Sequence, residues 1–323
     1  MSPPLEHLAD DLEAALDADR EPAATRARPP RALLVPAALG RLLRLALVDW
    51  AIVGLAWVGM ALAPVWVGVA CGVIVASRFH ALGVILHDAA HLPLRGKPWR
   101  VRLLEGLCGY PLATTVNAMR YHHLRHHRDN GMPTDPYFKA GVEDRPVVYA
   151  LNVVRGLALL PFWSVRAWFG LAAWASPALR TPYARVFLQD RSGADVTDSA
   201  EVLACARAEV GLVLFQVGVA TVAVFAPFAV LYGLVLPAVA AGVLAAWRLL
   251  QEHRYTPNSD RRLETTLATT RDHHLSGWFT WLLAPRNIGH HIVHHLHPQV
   301  GLEHLPALRA WYRVNQPGYP EPR

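Results

Sequence analysis

Two stretches of the chain carry no charged residue, Ala51 to Ser77 and Gly211 to Trp247. A transmembrane helix takes roughly 20 apolar residues. The second stretch is longer than one span and reads as the two arms of a tight hairpin. The first lies in an apolar block from about Leu42 to Leu86 with Pro64 near its middle. Proline lacks the N–H that a helix interior needs, so the block is expected as two helices, about 42–62 and 65–86. The second hairpin is expected over about Glu209 to Gln251, turning near Tyr232 to Pro237. Between the hairpins, Val101 to Val116 is too short to span and contains Arg102 and Glu105, which suits the membrane interface. Residues 147–175 are apolar and Trp-rich but are interrupted by Arg155 and Arg166. They are expected as an interfacial helical pair, with a further span as the alternative. The remainder, from His253, is soluble in character and rich in His and Arg.

The predicted fold is therefore an all-α membrane protein. Four transmembrane helices form two hairpins, accompanied by interfacial helices and a histidine-rich cap. Residues 1–40 pass from an acidic stretch to a Pro/Arg-rich one without the apolar core of a signal peptide, and are expected as a mobile tail. Composition agrees: 53% of residues are hydrophobic and 17% charged, against about 25% charged in a soluble domain. That balance excludes a disordered chain, a coiled coil and a disulfide-stapled module. Cys71, Cys108 and Cys205 form no CxxC, which argues against a zinc ribbon or an iron–sulfur cluster.

The net charge of +6 reflects basic residues flanking apolar segments rather than a nucleic-acid surface. Neither expected outer turn, near Pro64 or Tyr232–Pro237, contains Lys or Arg. The positive-inside rule then places every charged loop and both termini in the cytoplasm, the membrane being the cell (inner) membrane.

The 17 histidines are the chemical anomaly. Three clusters stand out: His87-Asp88-Ala89-Ala90-His91, His122-His123-Leu124-Arg125-His126-His127, and His290-His291-Ile292-Val293-His294-His295. Residues three and four apart share a helix face. Thus His87 with His91, His123 with His126 and His127, and His291 with His294 and His295 can each present imidazoles from one face. His253, in Gln251-Glu252-His253-Arg254, closes the last span on the same membrane side. Four ligands satisfy a tetrahedral zinc site, so nine imidazoles imply two metals. Imidazole suits iron, copper, zinc and nickel. The other histidines read as less functional: His80 as core or supporting, His122 and His290 as adjacent spares, His273 and His274 as solvated or supporting. His297 and His304 read as structural, and His7 as a tail residue.

These boxes, with Asn287-Ile288-Gly289 before the third, resemble the membrane-bound fatty acid desaturase superfamily. The resemblance covers about residues 45–306. It implies a desaturase-like domain over 41–310, with 311–323 as a C-terminal tail. It also implies that His87, His91, His123, His126, His127, His253, His291, His294 and His295 bind two non-haem irons. Asn287 is expected to position a ligated water or support a ligand. Asp135, in Thr134-Asp135-Pro136-Tyr137-Phe138, is expected to orient a ligand histidine. One departure is Val293, where many relatives have Glu. The region 140–208 is longer than in carotenoid ketolases, which favours an acyl-chain enzyme.

The implied chemistry is oxidation of an unactivated C–H in a lipid or fatty acyl chain, with O2 as co-substrate and desaturation as the leading outcome. Hydroxylation, carotenoid ketolation and terminal-alkene-forming decarboxylation are the alternatives within the superfamily. A histidine-rich metal transporter is a distant one, because the charge-free windows contain no histidine. Aromatic and Leu residues of 157–174 are candidates for a tunnel mouth. Electrons must come from a separate ferredoxin, rubredoxin or cytochrome b5 type carrier with its reductase. Arg125, Arg128, Arg254, Arg261, Arg262 and Arg286 are candidates to dock it.

Overall fold

The computed structural model describes residues 27–92, 98–258, 260, 262–273 and 275–321. The expected N-terminal tail lies outside the described residues up to position 26, as do His7, Arg261 and His274. Among the described residues the fold is helical throughout, with two isolated bridges, Pro36 to Val300 and His253 to Thr270, as the extended pairings.

The first hairpin joins α1 (Leu39–Leu62) to α2 (Val65–Ala89). Ala63 is extended and Pro64 opens α2, so the chain reverses where the proline forbids continuation. The second box lies on α3 (Val116–Asp129), whose first turn is capped by Thr115, its hydroxyl accepting from the Ala118 N–H at 3.1 Å. The middle region forms α4 (Pro146–Val154) and α5 (Leu159–Ala175), separated by a tighter turn at Arg155–Ala158. Then come α6 (Ala200–Phe225) and α7 (Leu236–Glu252). The third box occupies the short α8 (His291–Leu296), and α9 (Leu305–Asn315) follows. The expected boundary at 310/311 falls inside α9, where Tyr312 is fully buried.

The second hairpin turns earlier than expected. The break is at Ala226 (φ −139°, ψ 60°), immediately before Pro227, and the chain re-enters helix at once. The residue before a proline is pushed out of the α region, and Ala226-Pro227 is that signal. Tyr232 to Pro237 instead lies within the returning arm, whose Leu231–Val235 turn is wound as π-helix. Pro237 leaves the carbonyl four residues back, that of Gly233, without its helical donor. The Trp57 indole N–H fills that place at 3.0 Å and ties the two hairpins together.

Five helical runs are long and apolar enough to cross a membrane: Leu39–Leu62, Val65–Ala89, Pro146–Ala175, Ala200–Phe225 and Pro227–Glu252. Against the expected four, the described helices offer five candidates, Pro146–Ala175 being the additional one. The second run is central, 61% of its apolar window being buried against 6–22% for the others.

Contacts define the course of Pro146–Ala175. Tyr149 accepts from Gln251 at 2.5 Å, beside His253 at the foot of α7. Gly156 meets α7 higher up, so closely that a Cβ there would lie 2.5 Å from Val243 Cα. The chain then runs back along α6. Gln216 donates to Ser164 at 3.5 Å, and Arg166 pairs with Glu209 at 2.8 Å. Arg180, just beyond α5, donates to both Ala173 and Thr197, next to the Ser199 cap of α6. Both ends of the run therefore lie toward the ends of α6 and α7 that carry the histidine face.

Candidate metal centre

Four elements deliver the histidines to one place. His87 sits in the last turn of α2 and His91 just beyond it. Arg120 fixes that exit by donating to the carbonyls of Ala90 (2.5 Å) and Leu92 (2.9 Å). α3 supplies His123, His126 and His127. His253 is the first residue past α7, in extended conformation. α8 brings His291, His294 and His295, and its start is held by Asp272, which accepts from the Ile292 N–H at 2.9 Å.

Eight of these imidazoles fall into two groups of four: His87, His91, His123 and His294; and His126, His253, His291 and His295. Within each, the candidate ligand atoms lie within 4.8 Å of one another. His127 stands between the groups, its Nε2 3.0 Å from His123 and 3.1 Å from His294, its ring stacked on His295 at 4.2 Å.

The convergence is through Nε2. His253 Nε2 lies 2.8, 3.1 and 3.2 Å from the Nε2 atoms of His126, His291 and His295. One imidazole nitrogen offers one proton or one lone pair, so hydrogen bonding cannot satisfy three such neighbours. A shared cation can, and the residues present fit a pair of bound metals. Burial drives the imidazole pKa down, to about 3 for His91 and well below 6.5 for His123, His127, His253, His291, His294 and His295, with neighbouring histidines adding to the effect for these six. These rings are neutral at pH 7, the form that binds metal.

Around the second group, His126 Nδ1 lies 2.9 Å from Asp135 Oδ1, and His253 Nδ1 lies 3.1 Å from the Leu249 carbonyl. Asn287 is placed otherwise: its amide donates to the Leu302 carbonyl at 3.2 Å. Val293 is fully buried in the apolar cluster with Val84 and Ile288, a setting that accepts no carboxylate without cost.

The remaining histidines take separate places. His80 is buried with neither ring nitrogen hydrogen-bonded. His122 meets the Tyr137 hydroxyl at 2.7 Å, His273 meets Glu252 at 3.4 Å, and His297 meets the Tyr312 hydroxyl at 2.8 Å. His304 is partly exposed beside Glu303.

Sequence reasoning missed Glu252, Tyr137 and Asp272. Glu252 accepts twice from Arg248 (2.7 and 2.6 Å) and lies 3.6 Å from His291 Nδ1. Its signal was its place directly before His253. Tyr137 stacks on His126 at 4.4 Å. Of the arginines expected to dock a carrier, Arg125, Arg128 and Arg286 are paired with Glu201, Asp129 and Asp49 at 2.7–2.9 Å.

A cavity of about 180 Å3 opens against the histidines. His87, His123, His126, His253 and His291 form one wall. Leu159, Leu160 and Trp163 line it from the middle region, while Leu157, Val165, Trp168 and Trp174 point outward. The candidate tunnel residues thus divide between the cavity and the exposed apolar surface.

Long apolar helices gathered around two four-imidazole groups define a helical, membrane-type protein with histidine clusters fit to hold metal. A family model described as fatty acid desaturase matches residues 61–322, and the chain belongs to that family. No curated protein matches the chain at a significant level.

Proposed function

We propose that the chain is a membrane-bound di-iron oxidase that introduces a double bond into a lipid or fatty acyl chain. The observation that carries this reading is the pair of four-imidazole groups opening on a cavity with an apolar side. Two irons held there would supply the reduction of O2 coupled to removal of hydrogen from an unactivated C–H. The chain's own residues hold and orient. Eight histidines and the intervening His127 present imidazole nitrogens, and Asp135 fixes the tautomer of His126. Leu159, Leu160 and the small residues of α7 keep the cavity dry. The balance is one O2, two electrons and two protons per double bond, giving two waters. The two electrons come from a separate carrier of the ferredoxin, rubredoxin or cytochrome b5 type with its reductase.

The proposed topology has four spans, with the metal centre and both termini cytoplasmic in the inner membrane. Pro146–Ala175 enters and returns on one side. Its support is the contacts of Tyr149 with Gln251 and of Arg180 with Thr197, which keep both ends toward the histidine face. One crossing would put the third box on the far side from the first two, and 30 residues are too few for two spans of roughly 20. Reaction of a cysteine placed at Trp163 with an impermeant reagent from outside would overturn it.

The function is tested by lipid analysis of cells that express the protein together with a carrier. A new double bond is expected. An added hydroxyl or keto group, or a chain shortened to a terminal alkene, would replace desaturation with the matching alternative. Unchanged lipids alongside iron-loaded protein and a working carrier would overturn the reading.

A further inference from the structure

Among the described residues, three cations on the cavity wall have no carboxylate paired with them. Lys139, Arg155 and Arg191 all line it. Lys139 Nζ donates to the Tyr137 carbonyl at 2.9 Å and lies 5.3 Å from the centre of the Tyr255 ring. Arg191 donates to the carbonyls of Asp135 (2.6 Å) and Phe138 (3.3 and 3.4 Å). These neutral acceptors fix the two side chains, Lys139 half-buried and Arg191, like Arg155, exposed where the cavity opens. Neither nearby carboxylate is paired with them. Asp135 is taken by His126 and by the backbone N–H groups of Gly131 (2.9 Å) and Tyr137 (2.8 Å). Glu252 is taken by Arg248. Burial, reinforced by the charges of Arg155 and Arg191 and opposed by that of Asp135, pushes the Lys139 ammonium down to about 8.

The other side of the same cavity is apolar, formed by Leu159, Leu160, Ala238, Ala241 and Gly242. Ala238 lies 15 residues before His253, about 22 Å along a helix at 1.5 Å per residue. One cavity therefore joins a cationic side and a long apolar side across a histidine wall. A hydrocarbon without a head group would engage none of the three cations. An amphiphile with a negative head satisfies both sides.

We propose that Lys139, Arg155 and Arg191 form a subsite for the anionic head, phosphate or carboxylate, of an amphiphilic substrate whose chain lies along α7 and α5. This rests on reading the cavity as the substrate site. It makes fatty acids and anionic lipids the preferred occupants over alkanes, carotenoids and neutral lipids.

The test is binding, measured without turnover. Purified full-length protein in neutral detergent is titrated with labelled palmitate, hexadecyl phosphate and hexadecanol. The acid and the phosphate are expected to bind about tenfold or more tightly than the alcohol. A Lys139→Gln, Arg155→Gln, Arg191→Gln triple variant should lose that factor while binding hexadecanol as before, which also shows that its cavity is intact. Equal affinity for all three ligands in the unaltered protein, or a preference that survives in the triple variant, would overturn the proposal. Inorganic phosphate distinguishes the sources. If it alone binds as tightly as hexadecyl phosphate, the subsite serves a free anion and the head-group assignment fails. Lipid oxidation is scored separately. Charge preference without any oxidation would count against the oxidase reading alone, and oxidation without charge preference against the head-group subsite alone.

Discussion

The two four-histidine groups use one residue type in one buried setting, yet they are held differently. In the group of His126, His253, His291 and His295, acceptors stand behind two of the rings. Asp135 is at His126 Nδ1 and the Leu249 carbonyl is at His253 Nδ1, while His291 Nδ1, 3.6 Å from Glu252, has no hydrogen-bond partner. In the group of His87, His91, His123 and His294, the Nδ1 atoms of His87, His123 and His294 have no hydrogen-bond partner. An acceptor at Nδ1 leaves the lone pair on Nε2 and raises its basicity. The group of His126 therefore has two rings oriented by Nδ1 hydrogen bonds, and the group of His87 has three rings without one. Two metals held by equal numbers of imidazoles should then differ in affinity.

The largest effect comes from removing ligands. His253→Ala should abolish turnover and lower iron to one per chain or less, because His253 Nε2 meets three other ligand atoms. Iron analysis of the purified variant checks this. His297→Ala, which loses the contact with Tyr312 and lies outside both four-histidine groups, should keep its iron. Full iron in His253→Ala would break the grouping itself.

The next effect tests the asymmetry. Asp135→Asn keeps the shape and removes the charge behind His126. Loss of such a partner typically costs about 10–100-fold in metal affinity or activity. Chelator competition should show two classes of iron in the unaltered protein. The weaker belongs to the group of His87, His91, His123 and His294. In Asp135→Asn the two classes should move together. A single class in the unaltered protein, or no change on substitution, would break the comparison.

The difference between the groups also marks what the sequence could reveal. Ligand positions follow from spacing along helices, which residue order displays directly. His87 with His91 and the HxxHH pairs are local. The pairing across elements, His126 with His253 and His291 rather than with His87, depends on how α3 packs against α2 and α6. So do the supporting contacts of Glu252 and Asp272, the latter reaching 20 residues along the chain to Ile292. The first hairpin was legible because Pro64 marked its turn. The second was misplaced because Pro237 drew attention from Pro227, although a π turn and Trp57 accommodate Pro237 within the helix. The middle region met the limit of hydropathy. Length and composition allow Pro146–Ala175 to span, and only contacts such as Gly156 with α7 describe its return.

The smallest effect concerns acid. Metal-free protein should lose stability as pH falls below about 6.5, the ordinary histidine pKa. Burial holds His91 and His122 at about 3. Between those limits the unfolded chain binds protons that the folded chain refuses, so stability rises with pH across the window and is complete above it. Each imidazole that stays neutral accounts for up to about 1.4 kcal/mol per pH unit, read as a drop in apparent Tm of a few degrees between pH 6.5 and 5.5. His91→Asn removes one such group, belonging to the less supported set, and should flatten the curve without inverting it. A Tm that rises on acidification, or a His91→Asn curve as steep as that of the unaltered protein, would show that the buried rings of this group take up protons in place of a metal.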